Sequence, residues 1–274
     1  MTHKISIAGL TKYYGTTQAL SGIDLAVGAG EFVTLVGASG CGKSTLLRTL
    51  GGLEEYGQGT ITCNGRIVDG PGPDRSMVFQ SYSLYPWLTV MDNIRFCRRL
   101  KNGRQDLTST DVEIASGRAD ALVSLMGLQH VARAYPAELS GGMQQRVAIA
   151  RALMVRPDVL LMDEPFGALD AQTREVMHDL IRHVYRLERM TVVFVTHDVE
   201  EAIYLGDRVV VMAPRPGRID SIVDVPFGLE RDQDLKLAPA FAAVKRQILD
   251  RIRETSGVRT DLEQLAKLTR SIQT

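Results

Sequence analysis

The sequence predicts an α/β protein: a mainly parallel sheet covered by helices on both faces, with a helical subdomain inserted into it. Three observations predict this. Short apolar runs at 32–36 (FVTLV), 159–162 (VLLM) and 191–195 (TVVFV) alternate with stretches of helical period. GASGCGKST at 37–45 lies between one such run and a helical stretch. The run at 159–162 ends in two acids, Asp163 and Glu164.

Taken in order, KISIAGL at 4–10 and GIDLAV at 22–27 read as strands. GTITCNGRIV at 59–68 reads as a hairpin, because Asn64-Gly65 suits a type I′ turn whose two central residues need positive φ. FVTLV, the glycine loop and KSTLLRTLGGL form a strand–loop–helix unit, and RSMVFQ at 75–80 is a further strand. Residues 88–156 are mostly helical, with turn signals at Asn102-Gly103 and Tyr135-Pro136; they break the alternation and read as the insertion. At 171–190, Val176, Met177, Leu180, Ile181, Val184 and Leu187 fall on one helical face. After TVVFVTH, Asp198 with Glu201 three residues later resembles a capping box for a helix at 199–205. DRVVVMA at 207–213 is a strand that Pro216-Gly217 turns back. Two amphipathic helices close the chain, one carrying Phe241, Val244, Ile248, Leu249 and Ile252, the other Leu262, Leu265, Leu268 and Ile272. The expected boundaries are a main domain over 1–229 and a helical extension over 230–274.

The 274 residues carry 32 basic and 32 acidic side chains, a balance that argues against a strongly electrostatic nucleic-acid binder. Cys41, Cys63 and Cys97 show no CxxC spacing and read as reduced thiols. The apolar runs are too short to span a bilayer, and MTHKISIAGL lacks a secretory pattern. The expectation is a soluble cytoplasmic chain that reaches a membrane only through a partner.

The glycine loop fits G-x-x-x-x-G-K-[ST] from Gly37 to Ser44. Its glycines let backbone N–H groups converge on a polyphosphate, and the following helix adds partial positive charge. In that reading Lys43 reaches the β- and γ-phosphates and Ser44 ligates Mg²⁺. Cys41 lies near the helix N-terminus, which would lower its pKa; it is read as a space-filler all the same. A buried strand delivers Asp163 and Glu164 to its C-terminal edge, where α/β sheets bind ligands. Asp163 would hold the Mg²⁺ water shell, and Glu164 would take a proton from a water attacking the γ-phosphate. His197 ends its strand in the same way and would donate to that phosphate.

A second glycine-rich turn, LSGGMQQR at 139–146, has no nucleotide left to bind. With it, the chain resembles the nucleotide-binding subunits of ATP-binding cassette (ABC) transporters over residues 4–225. GASGCGKS resembles Walker A, Gln80 the Q-loop, LSGGMQQR the signature motif, VLLMDEP Walker B, ALD at 168–170 the D-loop, and His197 the switch histidine. The resemblance implies a P-loop NTPase (RecA-like) core with an N-terminal antiparallel β-subdomain and an inserted α-helical subdomain. It implies that Gly37, Ser39, Gly40, Cys41, Gly42, Lys43, Ser44 and Thr45 cradle the nucleotide while Tyr14 stacks on adenine. Gln80 would join Ser44 and Asp163 at the metal, and Asp170 would meet the nucleotide at the dimer interface. It also implies a head-to-tail homodimer in which Ser140, Gly141 and Gly142 bind the γ-phosphate held by the other copy. Ala148, Ile149, Ala150 and Leu153 suggest a helix beginning soon after that loop. The family commonly has Gln where Met143 stands.

The implied cofactors are ATP and Mg²⁺, and the implied partners are a transmembrane permease and, indirectly, a solute-binding protein, at the cytoplasmic face of the membrane. SYSLYPWLTVMDNI at 81–94 would hold a permease coupling helix near Gln80, with Tyr85 and Trp87 either anchoring it or packing in the helical subdomain's core. PGPDRSMVFQ, ALDAQTR and APRPGRI are similar to the importer branch for nitrate, sulfonate and taurine. The competing class is a soluble ABC-type ATPase of DNA repair or translation. Those carry coiled-coil or zinc-finger insertions or two cassettes, of which none is seen here. An unrelated P-loop kinase would lack LSGGMQQR.

Overall fold

The computed structural model describes residues 3–101 and 109–256. Two long strands, β1 (His3–Tyr14) and β2 (Thr17–Gly28), open the chain, each longer than its apolar run. β3 (Phe32–Gly37) leads through the glycine loop into α1 (Lys43–Leu50). β4 (Gln58–Cys63) and β5 (Arg66–Ile67) form the hairpin, with Asn64 at φ 53° and Gly65 at φ 74°, as a type I′ turn demands. β6 (Arg75–Val78) precedes α2 (Val90–Lys101), α3 (Ser109–Leu125) and α4 (Gly141–Met154). Then come β7 (Val159–Asp163), α5 (Ala171–Glu188), β8 (Thr191–Val195), α6 (Val199–Leu205), β9 (Arg208–Ala213), β10 (Arg218–Asp224) and α7 (Pro239–Ser256). The Asn102-Gly103 turn and the second tail helix lie outside the described residues.

Two sheets result. β2, β1, β4 and β5 pair antiparallel in that order. The second sheet runs β10-β9-β3-β8-β7-β6, parallel throughout except for β10. β3, β7 and β8 are buried along their whole length, which is why they read as unbroken apolar runs. Their alternate side chains face different cores. Phe32, Leu160, Met162, Val192 and Phe194 pack with α5, α6 and α7, whereas Val33, Leu161, Val193 and Val195 pack with α1 and the antiparallel sheet.

Three local expectations change. Val176 and Leu187 are exposed, and α5 instead buries Met177, His178, Ile181, Arg182, Val184 and Tyr185. Two polar residues go inside because they find partners: His178 Nε2 meets Glu201 Oε1 at 2.7 Å, and Arg182 donates to the Leu205 carbonyl at 3.1 Å. The capping box closes on one side alone. Asp198 accepts from the Glu200 and Glu201 amides, but the Glu201 side chain turns inward to His178. α4 starts at Gly141, inside the glycine-rich turn and not after it.

Of the tail, Phe241, Val244 and Ile248 are buried against the main core. The segment before α7 is fastened by Arg231, whose side chain is 1% exposed. It donates to the carbonyls of Ile203, Tyr204, Gly206, Phe227 and Gly228, each at 2.9 Å. The first three are the orphan carbonyls at the end of α6. Burial, with Arg182 beside it, lowers the Arg231 pKa to about 10. Replacing Arg231 with Met strands those carbonyls, so we expect stability to fall by about 3 kcal/mol or more, read as a lower urea midpoint at unchanged m-value.

Candidate active site

The parallel strands end on one edge of the sheet, and the loops that follow them meet there. The glycine loop after β3 works by close approach. A Cβ on Gly37 would lie 2.3 Å from the Met212 carbonyl oxygen, and one on Gly42, at φ 92°, would lie 2.7 Å from Leu20 Cδ2. Only glycine lets the loop curl this tightly into the N-terminus of α1. A cleft of about 780 Å³ opens above it. Ser39, Gly40, Cys41, Gly42, Lys43, Ser44 and Thr45 line its floor, Glu164 and His197 one wall, and Thr17–Ala19 with Arg215–Gly217 the other.

Lys43 is buried and folded back, with Nζ 3.0 Å from the Gly37 carbonyl oxygen and 3.4 Å from that of Ala38. Ser44 Oγ donates to Asp163 Oδ1 at 2.7 Å, which ties α1 to the end of β7. Asp163 is 1% exposed, and its closest cation, Arg48 Nη2, is 4.0 Å away. Burial raises its pKa, and the Ser44 hydrogen bond offsets part of that. A buried carboxylate this poorly compensated beside a hydroxyl fits a hard divalent cation, which takes oxygen ligands. Glu164 differs from its neighbour. Its backbone is left-handed at φ 42°, its amide donates to the Val195 carbonyl at 2.9 Å, and Oε2 lies 3.0 Å from His197 Nδ1. The carboxylate and the imidazole therefore stand together over the cleft.

Cys41 fills space, and its thiol is not activated. It is fully buried, and burial pushes its thiol pKa up despite Lys43 nearby; desolvation outweighs the helix N-terminus. Gly37 and Asp163 sit behind the cleft wall. Tyr14 lies at the rim, half exposed, with its hydroxyl on Glu54 and the Lys12 ammonium 4.7 Å from its ring centroid. Gln80 is exposed two residues past β6 and does not line the cleft.

Ser140, Gly141, Gly142 and Asp170 are also outside this cleft. Ser140 caps α4 by accepting from the Met143 amide at 3.3 Å, and Asp170 caps α5 by accepting from the Thr173 amide at 2.9 Å. That backbone hydrogen bond holds the Asp170 carboxyl below its usual range. The two caps adjoin: a Cβ on Gly142 would lie 3.1 Å from Thr173 Cγ2. Met143 packs its thioether on the main core, so an apolar residue suits that position. Trp87 is 69% exposed, while Tyr85 is half buried, 4.3 Å from Phe96 between ring centroids.

Sequence reading missed Asn93. It is fully buried, accepts from the Tyr85 amide at 2.9 Å and donates to the carbonyls of Tyr85, Leu88 and Thr89, so it shapes the turn that presents Trp87. It also missed Thr17–Ala19 and Arg215–Gly217, which reach the cleft only through the packing of one sheet on the other.

Asp163→Asn keeps an acceptor for Ser44 and removes the buried charge. We expect it to raise the Tm of the nucleotide-free protein at neutral pH, by about 2–4 °C for each kcal/mol gained, while nucleotide turnover is lost. Because the folded-state pKa is raised, the wild-type chain gains stability as pH falls through that pKa, so the Tm gap narrows in acid.

Known proteins resemble this chain over most of its length. The ABC transporter family model matches residues 20–167. The chain is 41% identical over 239 residues to the aliphatic sulfonates import ATP-binding protein SsuB of Bacillus subtilis, covering 87% of this chain and 89% of that one. It is 44% identical over 245 residues to the nitrate import ATP-binding protein NrtD of Synechocystis, covering 87% and 90%. The dimeric ATP-binding cassette MJ0796, in a post-hydrolysis state bound to ADP and phosphate, superposes with TM-score 0.72 at 31% identity, over 82% of this chain and all of that one. The chain belongs to the ABC transporter family, as an ATPase subunit.

Proposed function

We propose that this subunit powers a membrane importer for a small oxyanion-type solute of the nitrate, sulfonate or taurine kind, hydrolysing two ATP between two copies of itself. The observation that carries the shared site is the placement of the signature loop. Ser140 is exposed, caps its own helix and lies outside the nucleotide cleft of its own chain. Gly141 and Gly142 fall in the first turn of α4, where backbone N–H groups lack intrahelical acceptors. Such a surface suits the phosphate of a symmetry mate, and two-fold symmetry makes the exchange reciprocal.

Within one half-site, ATP lies along the glycine loop with its terminal phosphate toward Glu164 and His197. Lys43 leaves its carbonyl partners for the β- and γ-phosphates. Ser44, Asp163 and Gln80 would hold Mg²⁺, which would neutralise phosphate charge. Glu164 takes the proton of the attacking water as its oxygen bonds to the γ-phosphorus and the bond to the ADP oxygen breaks. His197 holds Glu164 in place and donates toward the γ-phosphate. Tyr14 turns its open ring face to adenine, and Asp170 lines the seam between copies.

Loss of the γ-phosphate removes the contact that bridges the two chains, and the population moves to the open dimer. The permease docks at the exposed aromatic turn around Trp87, which lies in the chain between Gln80 and the helical subdomain of residues 88–156. Among the described residues no helix is long and apolar enough to cross a membrane, which fits a peripheral subunit at the cytoplasmic face. The 45 residues from 230 onward form an extension whose described part packs on the core through α7.

Glu164→Gln removes the base and keeps the shape. It should slow turnover by about 10²–10⁴-fold and elute as an ATP-dependent dimer in size-exclusion chromatography; a monomer at saturating ATP refutes the shared site. Ser140→Arg should leave ATP binding to the isolated chain near the wild-type Kd by calorimetry, yet cut hydrolysis by about 10²-fold. Normal hydrolysis by that variant refutes the reciprocal role of the signature loop.

A further inference from the structure

We infer that Arg215 is a further nucleotide-binding residue, which holds the nucleoside-proximal phosphates of ATP and ADP from the flank of the cleft opposite Glu164 and His197. The inference rests on the nucleotide reading above and adds a residue to it.

Sheet order fixes the flank. Along the edge where the parallel strands end, the sequence of strands is β9, β3, β8, β7. The loops that follow them therefore stand in the order Arg215, glycine loop, His197, Glu164. The water-activating pair lies on one side of the phosphate cradle and Arg215 on the other, so a polyphosphate with its terminal group at Glu164 presents its inner phosphates toward Arg215.

The turn that carries Arg215 is built onto the cradle. The Gly217 amide donates to the Ala19 carbonyl at 3.0 Å, and the Ser21 amide donates to the Gly217 carbonyl at 2.9 Å. A Cβ on Gly217 would lie 2.4 Å from the Cys41 carbonyl oxygen, so the turn touches the glycine loop itself. Arg215 holds a left-handed backbone at φ 59°, a strained conformation for a non-glycine residue and one that clusters at ligand clamps. Its side chain lines the cleft and is exposed, and among the described residues it makes no ion pair or hydrogen bond. Glu164, on the far wall, is the only acid among the lining residues. A guanidinium with no counter-ion beside a cradle of amides matches phosphate oxygens, which it can grip with two parallel N–H donors.

The test is calorimetric binding of ATP and of ADP to the full chain, with Lys43→Ala as the control that removes the cradle's own cation. Arg215→Ala should raise Kd for both nucleotides by the same factor, about ten-fold or more, and the loss in steady-state hydrolysis should appear in KM. Arg215→Lys keeps the charge but not the fork and should fall between. Arg215→Gly accepts the turn's φ without strain, so its Tm should match or exceed wild type while its Kd rises as in the alanine variant. Unchanged Kd in Arg215→Ala overturns the assignment and leaves the nucleotide reading standing; a wild-type chain that binds neither nucleotide overturns both. A loss confined to ATP puts the residue at the terminal phosphate and refutes the inner-phosphate role. Wild-type affinity in Arg215→Gly reduces the arginine to a turn residue and also refutes it.

Discussion

Parallel pairing is the constraint on which this molecule's chemistry depends. β3, β7 and β8 run in one direction with β9 and β6 outside them, so five loops open on one edge. Residues more than a hundred positions apart in the chain are thereby neighbours, as when Ser44 Oγ donates to Asp163. That hydrogen bond crosses from the first turn of α1 to the end of β7. It fixes the cradle against the strand that carries the acids. The price is a carboxylate held almost dry, stabilised by one hydroxyl and a distant guanidinium.

Two adjacent carboxylates then acquire different properties from backbone geometry alone. Asp163 is the last residue of a buried strand and points into the interior. Glu164 turns out of the strand through a left-handed φ of 42° while its amide extends the ladder to the Val195 carbonyl. One acid is buried against Ser44, and the other stands over the cleft next to His197. The DE dipeptide gives the residue types; the strand's abrupt end gives them separate tasks.

The helical insertion is joined to the sheet at points that matter for coupling. Arg151 on α4 donates to the carbonyls of Ser83 at 2.8 Å and Tyr82 at 3.4 Å, and the Tyr82 hydroxyl lies where a Cβ on Gly141 would come within 2.8 Å. The segment just after Gln80 thus touches both ends of the signature helix. Gly142 meets Thr173, one turn from the Asp170 cap. The segment after Gln80, the signature loop and the start of α5 are thus packed against one another.

The fold class and most of the element order were legible in the sequence, because each rests on local signals. An unbroken apolar run marks a strand buried on both faces, Asn64-Gly65 marks a mirror-image turn, and a glycine loop between strand and helix marks a phosphate cradle. The family resemblance extended this to a second glycine-rich loop that no local rule explains. Tertiary structure alone decided which face of α5 is buried, since His178 and Arg182 enter the core only because Glu201 and the Leu205 carbonyl are there to receive them. It likewise decided that Cys41 is a protected thiol, that Asn93 shapes the aromatic turn, and that Arg215 lines the cleft above the glycine loop. The physical reason is the same in each case: burial, partner and cleft position belong to pairs of distant segments, and a pattern read along one segment carries no information about the other.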